Sequence, residues 1–191
     1  IEHGWDPLTS MVVAGLAGAV VAVLVGLPAL RLRGLYLAVT TLALSLAASE
    51  WVFSNRALDW IPSGSFARPA LLHRIELDSP LRRYYLSVAV LVLVLVALRG
   101  VRRSRSGRVL LALRDNEAGV VAYGVHPVRA RLAAFAVSGF VAAVAGVLLV
   151  VHQGSFRPVT YEPHESLAVF IATVIGGLGS LLGAVTGAVF Q

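Results

Sequence analysis

"LTSMVVAGLAGAVVAVLVGLPAL", residues 8–30, carries no charged side chain. At about 1.5 Å per helical residue, such a run covers the roughly 30 Å hydrocarbon core of a bilayer. A soluble domain would have to bury it on every side. The rest of the 191-residue chain has the same character, with 58% hydrophobic and 14% charged residues and a mean hydropathy of +0.82, far from an ordinary soluble composition.

Charge-free runs predict five spans. The first is Leu8–Leu30, with Pro28 placed to end or kink it. The second, Gly34–Phe53, reaches full length only by including Glu50. The third, Leu81–Leu98, is short, and Arg82, Arg83 and Arg99 can snorkel from its ends. The fourth is Leu132–Val151, and the fifth starts near Ser166 and runs to the end of the chain. The expected fold class is all-α, a polytopic membrane helix bundle forming a single transmembrane domain. The amino-terminal "IEHGWDPLTS" lacks the positive region and cleavage site of a signal peptide, and Gln191 falls inside an apolar run. The expectation is a piece of a longer membrane chain, incomplete at both ends.

Alternation of the spans sets the sides. Residues 31–33 and the 99–131 loop share one side; residues 1–7, the 54–80 loop and residues 152–165 share the other. All 16 basic residues are Arg, and ten of them lie on the first side, which the positive-inside rule makes cytoplasmic. Trp5, Trp51, Trp60, Tyr84, Tyr85 and Tyr161 fall at the opposite face, where an interfacial aromatic belt belongs. The bland role of these arginines is an anchor in an anionic leaflet, worth about 1 kcal/mol each. The net charge of +6 comes with no DNA- or RNA-binding motif, so no nucleic-acid partner is expected. The absence of Cys excludes disulfides, thiol catalysis and Cys-ligated metal centres. The 54–80 loop, with its prolines and mixed charges, reads as a long external connection.

Few residues inside the spans carry chemistry. Thr41, Ser45 and Ser49 recur every four residues beside Glu50, a stripe that either lines a polar path or bonds to neighbouring helices. A carboxylate at mid-membrane costs roughly 2.5–3.5 kcal/mol and less near an interface, where Trp51 and Trp60 would put Glu50. In the fifth span Gly179, Gly183 and Gly187 share a helical face, a spacing that lets helix backbones approach in lipid. A phosphate-binding glycine loop would need a preceding strand and a following Lys, and neither is present. His126, His152 and His164 show no metal-ligand spacing, and no Ser-His-Asp arrangement sits on a nucleophile elbow. Neither a metal site nor catalysis is expected.

The exception to the apolar text is "GRVLLALRDNEAGVVAYGV", residues 107–125. Leu110, Leu113, Val120 and Val121 recur at near-helical spacing, and Gly124 is placed as a stop, so a short cytoplasmic helix is predicted over about 107–124. Arg114 and Glu117, three apart, can pair. A helix lying on lipid would carry Arg along its whole polar face; Asp115, Asn116 and Glu117 favour a protein partner instead.

Four blocks resemble the membrane permease of branched-chain amino-acid ABC importers, the LivM type: "GLPALRLRGLYLAVTTLAL" at 26–44, "YYLSVAV" at 84–90, "SGRVLLALRDNEAGVVAYGV" at 106–125 and "VIGGLGSLLGAVTGA" at 174–188. They occur in the family's order. The resemblance implies a permease subunit of the bacterial inner membrane, translocating branched-chain amino acids. It would pair with a second permease subunit and two ABC ATPase subunits, with a periplasmic or extracellular solute-binding protein delivering the solute. ATP and Mg would be bound by the ATPase, and no cofactor by this chain. By position, Gly107, Arg108, Arg114, Asn116, Glu117, Ala118 and Gly124, with Asp115 among them, would form the coupling loop that meets the ATPase. Leu46 stands where family members often carry an acid, and the external loop offers "PSGS" in place of a Thr-Gly-Gly run. Other readings are a permease for urea, short amides or another small solute, an ion-driven secondary transporter, which would need ionisable groups at mid-membrane, and a membrane scaffold that moves no solute.

Overall fold

A computed structural model describes residues 6–30, 40, 43–47, 70–71, 75–76, 79–154, 163–177 and 179–189. The chain divides into two compact units, Ile1–Leu32 with Ser65–Ser155, and Arg33–Gly64 with Phe156–Gln191.

The first unit is built on three long helices: α1 (Pro7–Ala29), α2 (Pro80–Arg103) and α5 (Pro127–Gln153). Each opens with proline, whose fixed φ suits the first turn and whose missing N–H would have had no intrahelical partner there. α5 ends at Gly154 with φ +65°, the left-handed conformation that glycine adopts without a Cβ clash. All three are long and apolar enough to cross a membrane. The third and fourth expected spans thus extend beyond their charge-free cores, because the flanking arginines continue the helix. Arg102 and Arg103 lie in the last turn of α2, where the helix dipole favours cations. Between α2 and α5 stand two short helices, α3 (Arg105–Asp115) and α4 (Glu117–Ala122). From the 54–80 loop the structure describes a two-residue antiparallel hairpin, β1 (Ala70–Leu71) with β2 (Ile75–Glu76).

α1 and α5 are the closest pair. α1 buries Met11, Gly15, Gly26 and Ala29 on one stripe and exposes Val12, Val13, Leu16, Val20 and Leu24, the pattern of a helix that packs on one side and faces lipid on the other. The seam alternates large against absent side chains. The Phe140 ring covers Gly15, and the Phe135 ring covers Gly26. Between them Gly18 and Gly139 face one another, flanked by alanine methyls: a Cβ on Gly18 would lie 2.5 Å from Ala143 Cβ and 2.7 Å from the Gly139 carbonyl, and one on Gly139 would strike Ala22 Cβ and the Gly18 carbonyl. Partners in α5 fall in number as those in α1 rise, so the helices run antiparallel, as alternating spans require. α2 buries no residue and leaves an apolar groove of about 370 Å³ against the α1–α5 pair, lined by Ala19, Leu93, Ala97, Ala136 and Phe140. Arg83 bridges the far end, its guanidinium donating to the His152 carbonyl at 2.9 Å. That contact also sets α2 antiparallel to α5.

The second unit holds residues 43–47 in helical conformation, α6 (Pro163–Gly176) and α7 (Leu181–Val189). The expected continuous fifth span is therefore broken: the two helices meet at 117°, with Gly177 at φ +102° and Gly179 at φ +99° in the break. Gly179 accordingly lies outside α7 and does not share a face with Gly183 and Gly187. Those two are buried, and a Cβ on Gly183 would strike the Gly176 carbonyl, one on Gly187 the Ala172 carbonyl. Ser180 restarts the helix, its Oγ accepting from Gly183 N at 2.7 Å. At about 1.5 Å per residue neither α6 nor α7 crosses a bilayer alone. Among the described residues there are three spanning helices, and a fourth span if the bent pair counts as one, where five were expected. Most of the second expected span, 34–53, lies outside the described residues.

Overpacking a seam this tight costs about 1–3 kcal/mol or more. Gly139→Leu is expected to lower the thermal stability of the detergent-solubilised protein by several degrees. Gly100→Leu, where no atom lies within 4 Å of the added Cβ, is expected to leave it unchanged. Equal melting of the two variants contradicts the packing described.

Candidate functional site

The polar island forms a capped elbow. Ser104 separates α2 from α3 and serves both: its Oγ donates to the Val101 carbonyl at 2.6 Å and accepts from Gly107 N at 3.3 Å. The chain turns so sharply that a Cβ on Gly107 would strike the Val101 carbonyl and lie 2.6 Å from that of Arg102. Gly107 is buried, so its part is to permit the turn. Arg108 reaches back and donates to the Arg103 carbonyl at 3.1 Å, satisfying an acceptor that the end of α2 leaves open. Leu113 plants α3 in the unit's interior at 6% exposure.

The single helix expected over 107–124 is two helices, because Asn116 leaves helical geometry at φ −154°, ψ 94°. Its Oδ1 accepts from Gly119 N at 3.0 Å. Asn is among the preferred N-caps and offers the chain a local alternative to the helix, so a break here follows from its chemistry. α4 closes with a Schellman turn: Val125 N donates to Val120 O at 3.4 Å and Gly124 N to Val121 O at 2.9 Å, with Gly124 at φ +80°. His126 Nδ1 lies 3.3 Å from the Gly124 carbonyl.

The break redirects the charges. Glu117 pairs with Arg131 at 2.8 Å and not with Arg114, the partner that helical spacing had suggested. Both side chains are partly exposed, at 47% and 39%, so the pair contributes about 0.2–1 kcal/mol. Arg114 and Asp115 are exposed and make no hydrogen bond or ion pair among the described residues; Ala118 is exposed beside them. Two features escaped the sequence reading. Arg131, assigned to the leaflet anchor, is the ionic partner of Glu117. Tyr123 is 90% exposed, next to Val121 at 48%. Aromatics with one apolar and one polar end are enriched at protein interfaces, and a lone Tyr beside the Gly124 stop was the available signal.

The eight candidate residues between 107 and 124 thus divide by task. Gly107, Arg108, Asn116 and Gly124 fix the backbone, Glu117 ties α4 to α5, and Arg114, Asp115 and Ala118 form a free tip with Tyr123 nearby. Of the expected polar stripe, Thr41, Ser49 and Glu50 lie outside the described residues, and Ser45 is half-buried in the second unit.

The sequence pattern of the family described as "Branched-chain amino acid transport system / permease component" matches residues 2–190. The chain belongs to this permease family. Among curated relatives, the permease is 30% identical over 98% of its length to the high-affinity branched-chain amino acid transport system permease protein LivM of Salmonella typhimurium, and covers 50% of that protein. It is 31% identical over 100% of its length to the autoinducer 2 import system permease protein LsrC of Enterobacter sp., covering 55%. To the L-arabinose transport system permease protein AraH of Escherichia coli it is 31% identical over 77%, covering 43%. It spans about half the length of the relatives it matches. No solved structure matches it. With its apolar helices, the permease is a multi-pass membrane protein.

Asn116→Ala removes an N-cap worth about 1 kcal/mol. The Gly119 and Val120 amides of that variant are expected to exchange about fivefold faster with solvent while the α5 amides are unaffected; unchanged exchange at Gly119 contradicts the capped break.

Proposed function

We propose that this chain is the permease subunit of an ATP-driven importer carrying branched-chain amino acids. In this reading ATP is hydrolysed on partner ABC subunits, with Mg bound there, and solute arrives on an external binding protein. A second permease subunit would complete the path. The observation that carries the reading is the exposed tip Arg114–Asp115–Ala118 with Tyr123, held on a capped elbow between two spanning helices. Such an element moves as a rigid body when a partner closes on it. Its charges select partner and register more than they add affinity, while Tyr123 supplies an anchor of the kind that dominates interfaces. By the positive-inside rule the Arg count favours a cytoplasmic position for this face, where an ATPase is available.

Family membership and the match to LivM over 98% of this chain support the importer class and favour branched-chain amino acids. LsrC and AraH match at similar identity, so a sugar-like solute is the second reading, and labelled leucine against labelled arabinose discriminates the two. An ion-driven transporter finds less support, since residues 8–29, 84–98 and 132–151 carry no ionisable side chain except the two tyrosines at the start of α2.

Arg114→Glu and Tyr123→Ala change exposed side chains that support no fold contact. In the full-length permease each is expected to reach the membrane at wild-type level, to cut copurification of the ATPase and to lower leucine uptake at least tenfold, as losses of about 1.4 kcal/mol or more at interface anchors do. Wild-type uptake and copurification in both variants contradict the coupling role.

A further inference from the structure

α4 is six residues long and hangs between two pivots, the non-helical Asn116 and the left-handed Gly124. Hydrogen bonds cap both ends but leave the direction of its axis to whatever its side chains grip. Glu117 is its only polar side chain, and the Glu117 carboxylate is held at 2.8 Å by Arg131, fourteen residues on. Arg131 belongs to α5, just past its first turn, and α5 is locked to α1 where Gly139 meets Gly18. Arg129, two residues earlier on the same helix, is exposed and makes no hydrogen bond or ion pair among the described residues. The pairing is therefore selective for one of two neighbouring arginines.

We propose that Arg131 is a positioning residue for coupling. By holding the Glu117 carboxylate it fixes the angle of α4 on α5, so that a push on the tip is delivered into the α1–α5 pair and not lost in swinging at Asn116 and Gly124. This rests on the importer reading for its functional consequence, and on geometry alone for the strap itself. It also reassigns Glu117: the carboxylate serves a bond inside the chain, and the ATPase is met by Arg114, Asp115 and Tyr123. An ion pair suits this task because it is directional and orients two helices. It is also exposed enough that losing it leaves the fold intact.

The test is charge reversal in the full-length permease assembled with its ATPase in liposomes, with labelled leucine imported per ATP hydrolysed as one readout and amide exchange across residues 119–122 as the other. Glu117→Arg and Arg131→Glu are each expected to speed exchange about fivefold, the upper end for an exposed pair, and to lower leucine per ATP by a similar factor. The double variant is expected to return both within about twofold of wild type. Arg129→Glu, the same charge change in the same place, is expected to alter neither. A double variant as defective as the single ones overturns the proposal, as does an Arg129→Glu defect equal to that of Arg131→Glu. If the wild type imports no leucine while the swap still restores exchange, the strap stands and the branched-chain amino-acid reading falls. If neither single variant changes exchange, the strap falls and the importer reading is untouched.

Discussion

Gly18 and Gly139 bring the backbones of α1 and α5 into contact, and the arrangement of the first unit follows from that approach. In lipid, apolar side chains gain nothing by leaving one hydrocarbon for another, so helices associate through close packing and hydrogen bonds. Two facing glycines provide the closest packing available, and Phe135 and Phe140 fill the seam above and below by covering Gly26 and Gly15. With α5 fixed along α1, its first residues have a defined place. The short helix α4 can then be set against Arg131, and the elbow of α3 can rest on Leu113. α2 is held differently, by Arg83 at one end and Ser104 at the other, with an apolar groove between.

That division suits a protein that must be stiff along one axis and able to yield along another. The elbow is held by local chemistry: a serine cap and a buried glycine fix the turn from α2 into α3, an asparagine cap and a Schellman turn bound α4, and the Glu117–Arg131 pair ties α4 to α5. What remains free is side chains, Arg114, Asp115 and Tyr123. α2 has no residue buried within the described structure, so shifting it disrupts few packed contacts.

The membrane class and the long helices were legible because length and apolarity are one-dimensional properties. Residues 8–30 need no tertiary information to be read as a span. The helix ends were less legible, since Arg99, Arg102 and Arg103 continue α2 past the point where the apolar run stops. Two misreadings share a cause. Periodicity alone joined 107–124 into one helix and placed Gly179 with Gly183 and Gly187, whereas local backbone chemistry decided otherwise: Asn116 captured an amide for its own cap, and Gly177 and Gly179 took left-handed conformations. Once Asn116 broke the helix, the i, i+3 spacing of Arg114 and Glu117 no longer described neighbours, and Glu117 turned to Arg131. That partner was out of reach of pattern reading because it depends on how α4 folds back on α5. Gly18, Ala22 and Gly26 of α1 carry the same four-residue small-residue spacing as Gly183 and Gly187.

The central claim is that the tip of the elbow is where this permease meets an ATPase. A photo-crosslinking amino acid at position 115 in the full-length permease, activated in intact membranes, tests it most directly. The account predicts a covalent adduct with an ABC ATPase subunit that disappears when the probe is moved to position 96, an exposed apolar position of α2 away from the groove. Adducts with lipid alone at position 115, in membranes where the permease is transporting solute, would contradict it.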